Sequence, residues 1–260
     1  MHDPDLVQDY GTHYAKNLLI LAKKYNMEWY MTHYLNFLKT DEESIELYKS
    51  IVEQNEYQVS KELLRGKTVV DVGANRGIFS IYAASLGASE IIAFEPVSST
   101  FNTLRDNIIK SECTNIQAHQ KAVSNETGNT VRISLNPQSG HNSLFTQSYQ
   151  NDQLLYEEVG TISLHDVIKN ISNDIFLKLD CEGSEYDILL NLTPEDANKI
   201  KTIVLEIHED LHPIYKGSEI LISRFKDLGY ERKFSDQVGW WTFNEKGELA
   251  TFDPFPLKLE

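Results

Sequence analysis

The stretch Val69-Val70-Asp71-Val72-Gly73-Ala74-Asn75-Arg76-Gly77 constrains the fold more than any other part of the chain. Its first half is apolar and β-branched, as suits a strand buried on both faces, and it runs into a turn bounded by two glycines. Glycine reaches backbone angles closed to other residues and lets a ligand approach the main chain closely. A helical pattern begins near Ile78, so strand, tight turn and helix follow one another directly.

From Gly66 onward such units alternate. Strand-like runs fall at 68–72, 90–94, 115–119, 175–180 and 202–207, and helical patterns at about 77–87, 98–112, 163–170, 184–192 and 218–228. This alternation implies an α/β, Rossmann-like, mostly parallel sheet with helices on both faces and right-handed crossovers. Tyr230–Phe234 and Val238–Phe243 lie close together and read as a hairpin, an antiparallel edge at the C-terminal end. The polar segment of about 125–160 is too long for a simple connection and reads as a small β insertion or a loop over the site.

Residues 1–65 carry helical spacing instead, in Leu18, Leu19, Leu21, Ala22, Tyr25 and again in Ile45, Tyr48, Ile51, Val52, with Asp41 as an N-cap. They form a helical N-terminal extension to a domain spanning 66–260. Its aromatic residues Tyr10, Tyr14, Tyr25, Trp29, Tyr30, Tyr34 and Phe37 suit a packed core, a cap on the acceptor cleft or a homodimer contact.

Composition removes several functional classes. Against 39 Asp plus Glu stand 24 Lys plus Arg, a net charge of −15, with 10 basic and 18 acidic residues in 171–260 alone. That field repels polyanions, and no cluster of four Lys/Arg offsets it, so nucleic acid is not the expected partner. The apolar runs are far short of the roughly 20 residues that span a bilayer. The start of the chain lacks a signal peptide's basic and apolar regions, and the expected location is cytoplasmic. Cys113 and Cys181 lie in no zinc-binding pattern and are expected to be free thiols, Cys181 as a small buried residue.

The glycine turn lacks the G-x-G-x-x-G of a dinucleotide site, because the second and third glycines would fall on Asn75 and Ile78. It carries Asp71 instead, an acid that repels a diphosphate but suits a cationic ligand. Glu95-Pro96 follows the second strand, and an acid at that tip accepts both hydroxyls of a ribose. Together they describe an S-adenosylmethionine site.

At this point the chain resembles the FkbM-type methyltransferases, within the class I S-adenosylmethionine-dependent superfamily. The resemblance rests on VVDVGANRGIFSIYAASLGA (69–88), IIAFEPVSSTFNTLRDNI (91–108), KAVS (121–124), NSL (142–144), ISLHDVI (162–168), FLKLDCEGSEYDILL (176–190) and VLEIH (204–208). It implies a seven-stranded sheet and methyl transfer to a hydroxyl of a glycan or small natural product. It also implies that Asp71, Gly73, Ala74, Asn75 and Gly77 line the methionine end of the cofactor and that Phe79 and Ser80 belong to the same binding site. Glu95 and Pro96 would then hold the ribose, and Ala122 and Val123 flank the adenine.

Asp180 ends the fourth parallel strand, where open α/β sheets place their ligands, and so belongs beside the reacting methyl group. Lys178 shares its face and either pairs with an acid or approaches the acceptor. Glu182 and Glu185 read as capping acids of the next helix. Glu206 and His208 stand at the tip of the fifth strand, where a near-neutral histidine takes the hydroxyl proton; His141 and His212 are weaker candidates. Arg76 is expected to face solvent or pair with an acid. Transfer without a metal is the primary expectation, and the alternative is Mg²⁺ held by Asp180, Glu206 and Glu209, with Asp210 nearby. Neither [DN]PP[YF] after the fourth strand nor a Pro-Cys nucleophile is present, which argues against methylation of adenine or amide nitrogen and of cytosine C5. Two rival readings are a cofactor-binding scaffold without turnover and an NAD-dependent oxidoreductase.

Overall fold

The structure, a computed structural model, describes residue 38 and residues 41–135, 155–209, 211–235 and 240–245. The aromatic positions from Tyr10 to Phe37, the Leu18–Tyr25 pattern, His141, the NSL at 142–144 and Asp210 lie outside the described residues.

Seven strands form one sheet: β1 (Thr68–Val72), β2 (Glu90–Phe94), β3 (Ile116–His119), β7 (Ile175–Leu179), β8 (Ile200–Glu206), β9 (Tyr230–Ser235) and β10 (Trp240–Glu245). Their order is β3-β2-β1-β7-β8-β10-β9. The first five pair in parallel, and β10 runs antiparallel to both β8 and β9. The parallel body and the antiparallel edge therefore match the sequence expectation. Chain order reverses between β1 and β7, the kind of switch point beside which α/β sheets open a crevice.

All residues of β1 and β7 are buried, because helices cover both faces. Side chains alternate across the sheet, so Val69 and Phe176 enter one apolar cluster while Val70, Val72, Ile175, Leu177 and Leu179 enter the other. The first cluster holds α3 (Ile78–Ser85), and also Tyr48, Ile51, Val52, Tyr57, Val59 and Leu64. The described part of the N-terminal segment thus packs into the same core as the sheet. It begins with α1 (Glu42–Tyr48), which Asp41 caps by accepting the Ser44 N–H, continues as a π-helical turn over Lys49–Glu53, and ends in α2 (Lys61–Leu64).

The insertion is a small second sheet of β4 (Ala122–Ser124), β5 (Thr130–Leu135) and β6 (Leu155–Ser163), in the order β4-β6-β5. Glu157 of β6 accepts the backbone N–H and the hydroxyl of Ser98, and so caps the long helix α4 (Ser98–Ser111). After α5 (Leu164–Ile168), β7 and α6 (Glu185–Leu190) comes α7 (Pro194–Lys199), which the sequence reading did not include. A Thr193/Asp196 capping box with proline at its start fixes it. Helix α8 (Glu219–Asp227) follows β8. No helix of the described residues is long and apolar enough to cross a membrane. Cys113 and Cys181 are free.

Candidate active site

At the carboxyl ends of β1, β2 and β7 lies a cavity of about 300 Å³. Gly73, Asn75, Glu95, Pro96, Ala122, Val123 and Asp180, all positions the sequence assigns to the cofactor, line it. Ile133 from the insertion and Glu43 from α1 also reach it. Asp71, Ala74, Gly77, Phe79 and Ser80 do not line it. Ala74 and Gly77 belong to the turn itself, and Asp71, Phe79 and Ser80 are buried beneath it.

The reason is strand parity. Asp71 points to the same face as Val69, toward α3, where it is 0% exposed and accepts the Ser80 hydroxyl at 2.6 Å. In register with it on β7 stands Lys178, whose Nζ lies 3.3 Å from Asp71 Oδ1 and 3.7 Å from Asp180 Oδ2. The same ammonium donates to the carbonyl of Gly73 at 2.8 Å. Burial opposes the Lys178 charge, but the two carboxylates outweigh it and hold its pKa above the ordinary lysine value. One buried cation therefore ties the strand, the glycine turn and Asp180 together. Ala74 packs into the core, as does Phe79, which stacks on Phe176. A Cβ on Gly77, which caps α3 in a left-handed conformation, would meet Leu104.

Glu95 is 6% exposed at the tip of β2. Its Oε2 accepts the N–H of Asn75 at 2.9 Å and its Oε1 that of Val97 at 3.0 Å, so each oxygen keeps a lone pair for a ligand. Burial pushes its pKa up to about 7, with the two N–H bonds opposing. Arg76 donates to Asp41 at 2.6 Å and pairs with Glu43, binding the glycine loop to α1. It is paired with acids, as expected.

Tyr57 is the residue that sequence reasoning missed. It sits in the irregular stretch after the π-helical turn, where no periodicity draws attention to it. Its ring packs edge-on against Phe79 with centroids 4.9 Å apart, Lys178 Nζ lies 5.6 Å above it, and its hydroxyl donates to Asp180 Oδ2 at 3.4 Å. Tyr57→Phe keeps the packing and loses only the hydroxyl. It is expected to cost about 1 kcal/mol in urea denaturation, and an unchanged midpoint would mean that the bond carries no weight.

At the tips of β7 and β8 the acids close on His208. Its Nδ1 is 3.0 Å from Glu185 Oε1, and its Nε2 is 3.5 Å from Glu182 and 3.9 Å from Glu206. Burial disfavours the charged ring, but the Glu185 hydrogen bond and the charges of Glu185, Glu182 and Asp180 prevail and push its pKa to about 10. The ring is a cation at neutral pH, which differs from the near-neutral base expected of it. Burial, followed by the charge of Asp180, raises Glu206 to about 7. Glu185 is fully buried and folds back to accept the N–H groups of Cys181 and Gly183, so it braces the turn after β7. His212 is also buried, stacks on Tyr215, and accepts the N–H groups of Ile214 and Tyr215. It is a structural residue of the loop after β8.

A parallel sheet that reverses order beside a glycine turn, with a ligand-sized cavity at that point and an acid on the neighbouring strand, defines an α/β enzyme of the nucleotide-ligand type. The family model described as the methyltransferase FkbM domain matches residues 71–232. The chain belongs to the FkbM methyltransferase family, and it is a methyltransferase. Methyltransferase 1 of Beauveria bassiana (strain ARSEF 2860) is 26% identical over 184 residues, covering 63% of this chain and 74% of that protein. The 31-O-demethyl-FK506 methyltransferase FkbM of Streptomyces tacrolimicus is 29% identical over 178 residues, covering 57% and 68%. A crystal structure of methyltransferase FkbM from Methylobacillus flagellatus KT aligns with a TM-score of 0.46 at 15% identity, covering 82% of this chain and 57% of that one.

Proposed function

We propose that the chain is an S-adenosylmethionine-dependent O-methyltransferase that modifies a hydroxyl of a glycan or small natural product. The observation that carries this reading is Glu95, a buried carboxylate fixed by two backbone N–H groups with lone pairs left for a vicinal diol. The rest of the cavity suits the same ligand. Ala122, Val123, Val97 and Ile133 offer apolar walls for a flat ring, and Asp180 and Glu182 supply negative charge for a cation. The name of the Streptomyces tacrolimicus relative, with its 31-O position, supports oxygen as the acceptor atom.

S-adenosylmethionine supplies the methyl group from its sulfonium. The residues of this chain orient and desolvate the reactants, which accounts for much of such a rate. Glu95 fixes the ribose, Gly73 permits close approach of the backbone, and Asp180, held by Lys178 and Tyr57, faces the reacting end. Glu206, with a pKa near 7, is the group suited to take the hydroxyl proton. Lys178 is enclosed by Asp71, Asp180 and the Gly73 carbonyl and supports the site from below. Glu43 brings the N-terminal segment to the wall of the cavity, and Tyr57 braces Asp180 from outside it.

Calorimetric titration with S-adenosylhomocysteine tests the cofactor. Glu95→Ala is expected to weaken binding by about 1–3 kcal/mol. Ribose hydroxyls favour ionised Glu95, so wild-type affinity should fall as pH drops below about 7 and the carboxylate takes up its proton. Glu95→Gln should flatten that dependence. No binding to the wild type at millimolar ligand would end the cofactor reading. Transfer of labelled methyl to a panel of glycans and natural products tests the acceptor, where an ether label survives alkali and an ester label does not. Cofactor binding without turnover on any acceptor would favour a scaffold.

A further inference from the structure

We propose that Asp180, Glu182 and His208 form a binding site for one divalent transition-metal ion at the floor of the cavity. One ligand atom from each lies within 4.8 Å of the others. They come from adjacent strand tips, Asp180 and Glu182 just past β7 and His208 just past β8, and the two acids line the cavity. The sequence reading offered Asp180, Glu206 and Glu209 for a metal. The fold gathers Glu182 and His208 instead, with Glu206 beside them.

The independent support is the second layer behind the histidine. Metal-binding histidines characteristically hand their other ring nitrogen to a carboxylate, which sets the tautomer and aims the ring. Here Glu185, 0% exposed and fixed by the N–H groups of Cys181 and Gly183, occupies Nδ1 at 3.0 Å. Nε2 is left facing Glu182 at 3.5 Å and Glu206 at 3.9 Å. Both distances exceed the roughly 2.7–3.2 Å of an N–H···O bond. A fully buried acid therefore holds the ring so that its outer nitrogen faces the carboxylates of Glu182 and Glu206, ion-paired with them at a separation that leaves room for a cation. An ion between them would take the place of the Nε2 proton.

The donor set selects the ion. Mg²⁺ and Ca²⁺ take oxygen ligands, whereas an imidazole joined to two carboxylates suits Mn²⁺, Fe²⁺, Co²⁺ or Zn²⁺. Three side chains leave coordination positions open toward the cavity, where water or an acceptor hydroxyl can bind and be made more acidic by the ion. The site does not depend on the cofactor reading, although the two share Asp180 and Glu182.

Mn²⁺ titrated into the full chain at neutral pH, followed by loss of the free-ion electron paramagnetic resonance signal, tests the inference. One ion per chain with a dissociation constant on the order of 10 µM is expected, with a nitrogen coupling in the electron spin echo that disappears in His208→Gln. Glu182→Gln, at a partly exposed position, should weaken binding at least tenfold, and Glu185→Gln about tenfold through the ring it aims. Glu158→Gln, on the outside of the small sheet, should leave it unchanged. Circular dichroism of each variant guards against unfolding. No bound Mn²⁺ up to about 1 mM, or equal affinity in wild type, Glu182→Gln and His208→Gln, would overturn the site. S-adenosylhomocysteine titrated into the same samples separates the readings: a chain that binds it but no Mn²⁺ has lost only the metal site.

Discussion

Replacing Lys178 by methionine is expected to destabilise the protein by about 3–5 kcal/mol, although methionine fills a similar volume. Asp71 is 0% exposed and Lys178 only 3%, so the substitution strands a carboxylate that keeps the Ser80 hydroxyl as its donor. Removing one partner of such a pair is far costlier than removing both, because the remaining charge stays in a medium that solvates it poorly. For a domain of this size the loss corresponds to a fall in melting temperature on the order of 10 °C. One control identifies the cause. Asp71→Asn in the Lys178→Met background should restore much of the stability, since it removes the stranded charge. The glycine turn also loses the donor to the Gly73 carbonyl, so affinity for S-adenosylhomocysteine should fall in parallel. A variant that melts like the wild type, or a double variant no better than the single one, would show that the pair is dispensable.

The same residues show how far the sequence could be read. The parallel body was legible because each strand is a short apolar run between helical patterns, and β1 at Thr68–Val72 and β2 at Glu90–Phe94 fall where those runs lie. Helix α7 was not, because Pro194–Lys199 is only six residues long and its signal is a capping box rather than a periodicity. Glu95, Asn75 and Asp180 were legible as cavity residues because strand tips beside a switch point face the ligand whatever their neighbours are. Asp71 has the same local context, yet parity turns it toward Ser80 on α3, and the choice between turn and helix depends on what packs above the strand. Contacts distant in sequence were the least accessible. Tyr57 meets Asp180 across 123 positions, and the charge of His208 depends on Glu182 and Glu185 on a different strand-helix unit. Spacing can place an ionisable group at a strand tip, but its protonation depends on neighbours that only the fold assembles.

Gly73→Ala is expected to be the most damaging change of a single carbon. At φ +73° an added Cβ would stand 1.8 Å from the Asp180 carbonyl oxygen and 2.8 Å from its carbon. Both are backbone atoms with little freedom to retreat: the Asp180 N–H donates to Val72 and the Gly73 N–H donates to Phe94, which lock the turn between β7 and β2. Left-handed backbone costs alanine about 1–2 kcal/mol, and separating the two chains moves Asp180 and the turn away from each other. A displacement of about 1 Å at a site that works by positioning is worth roughly 100-fold, so affinity for S-adenosylhomocysteine should fall by about that factor, with a clear loss in melting temperature. Gly66→Ala provides the control. Gly66 has φ +77° but nothing within 4 Å of the added carbon, so it should lose only the conformational cost and keep wild-type affinity. Similar melting temperatures and similar affinities for the two variants would mean that the approach of the glycine turn to Asp180 is not what shapes the cavity.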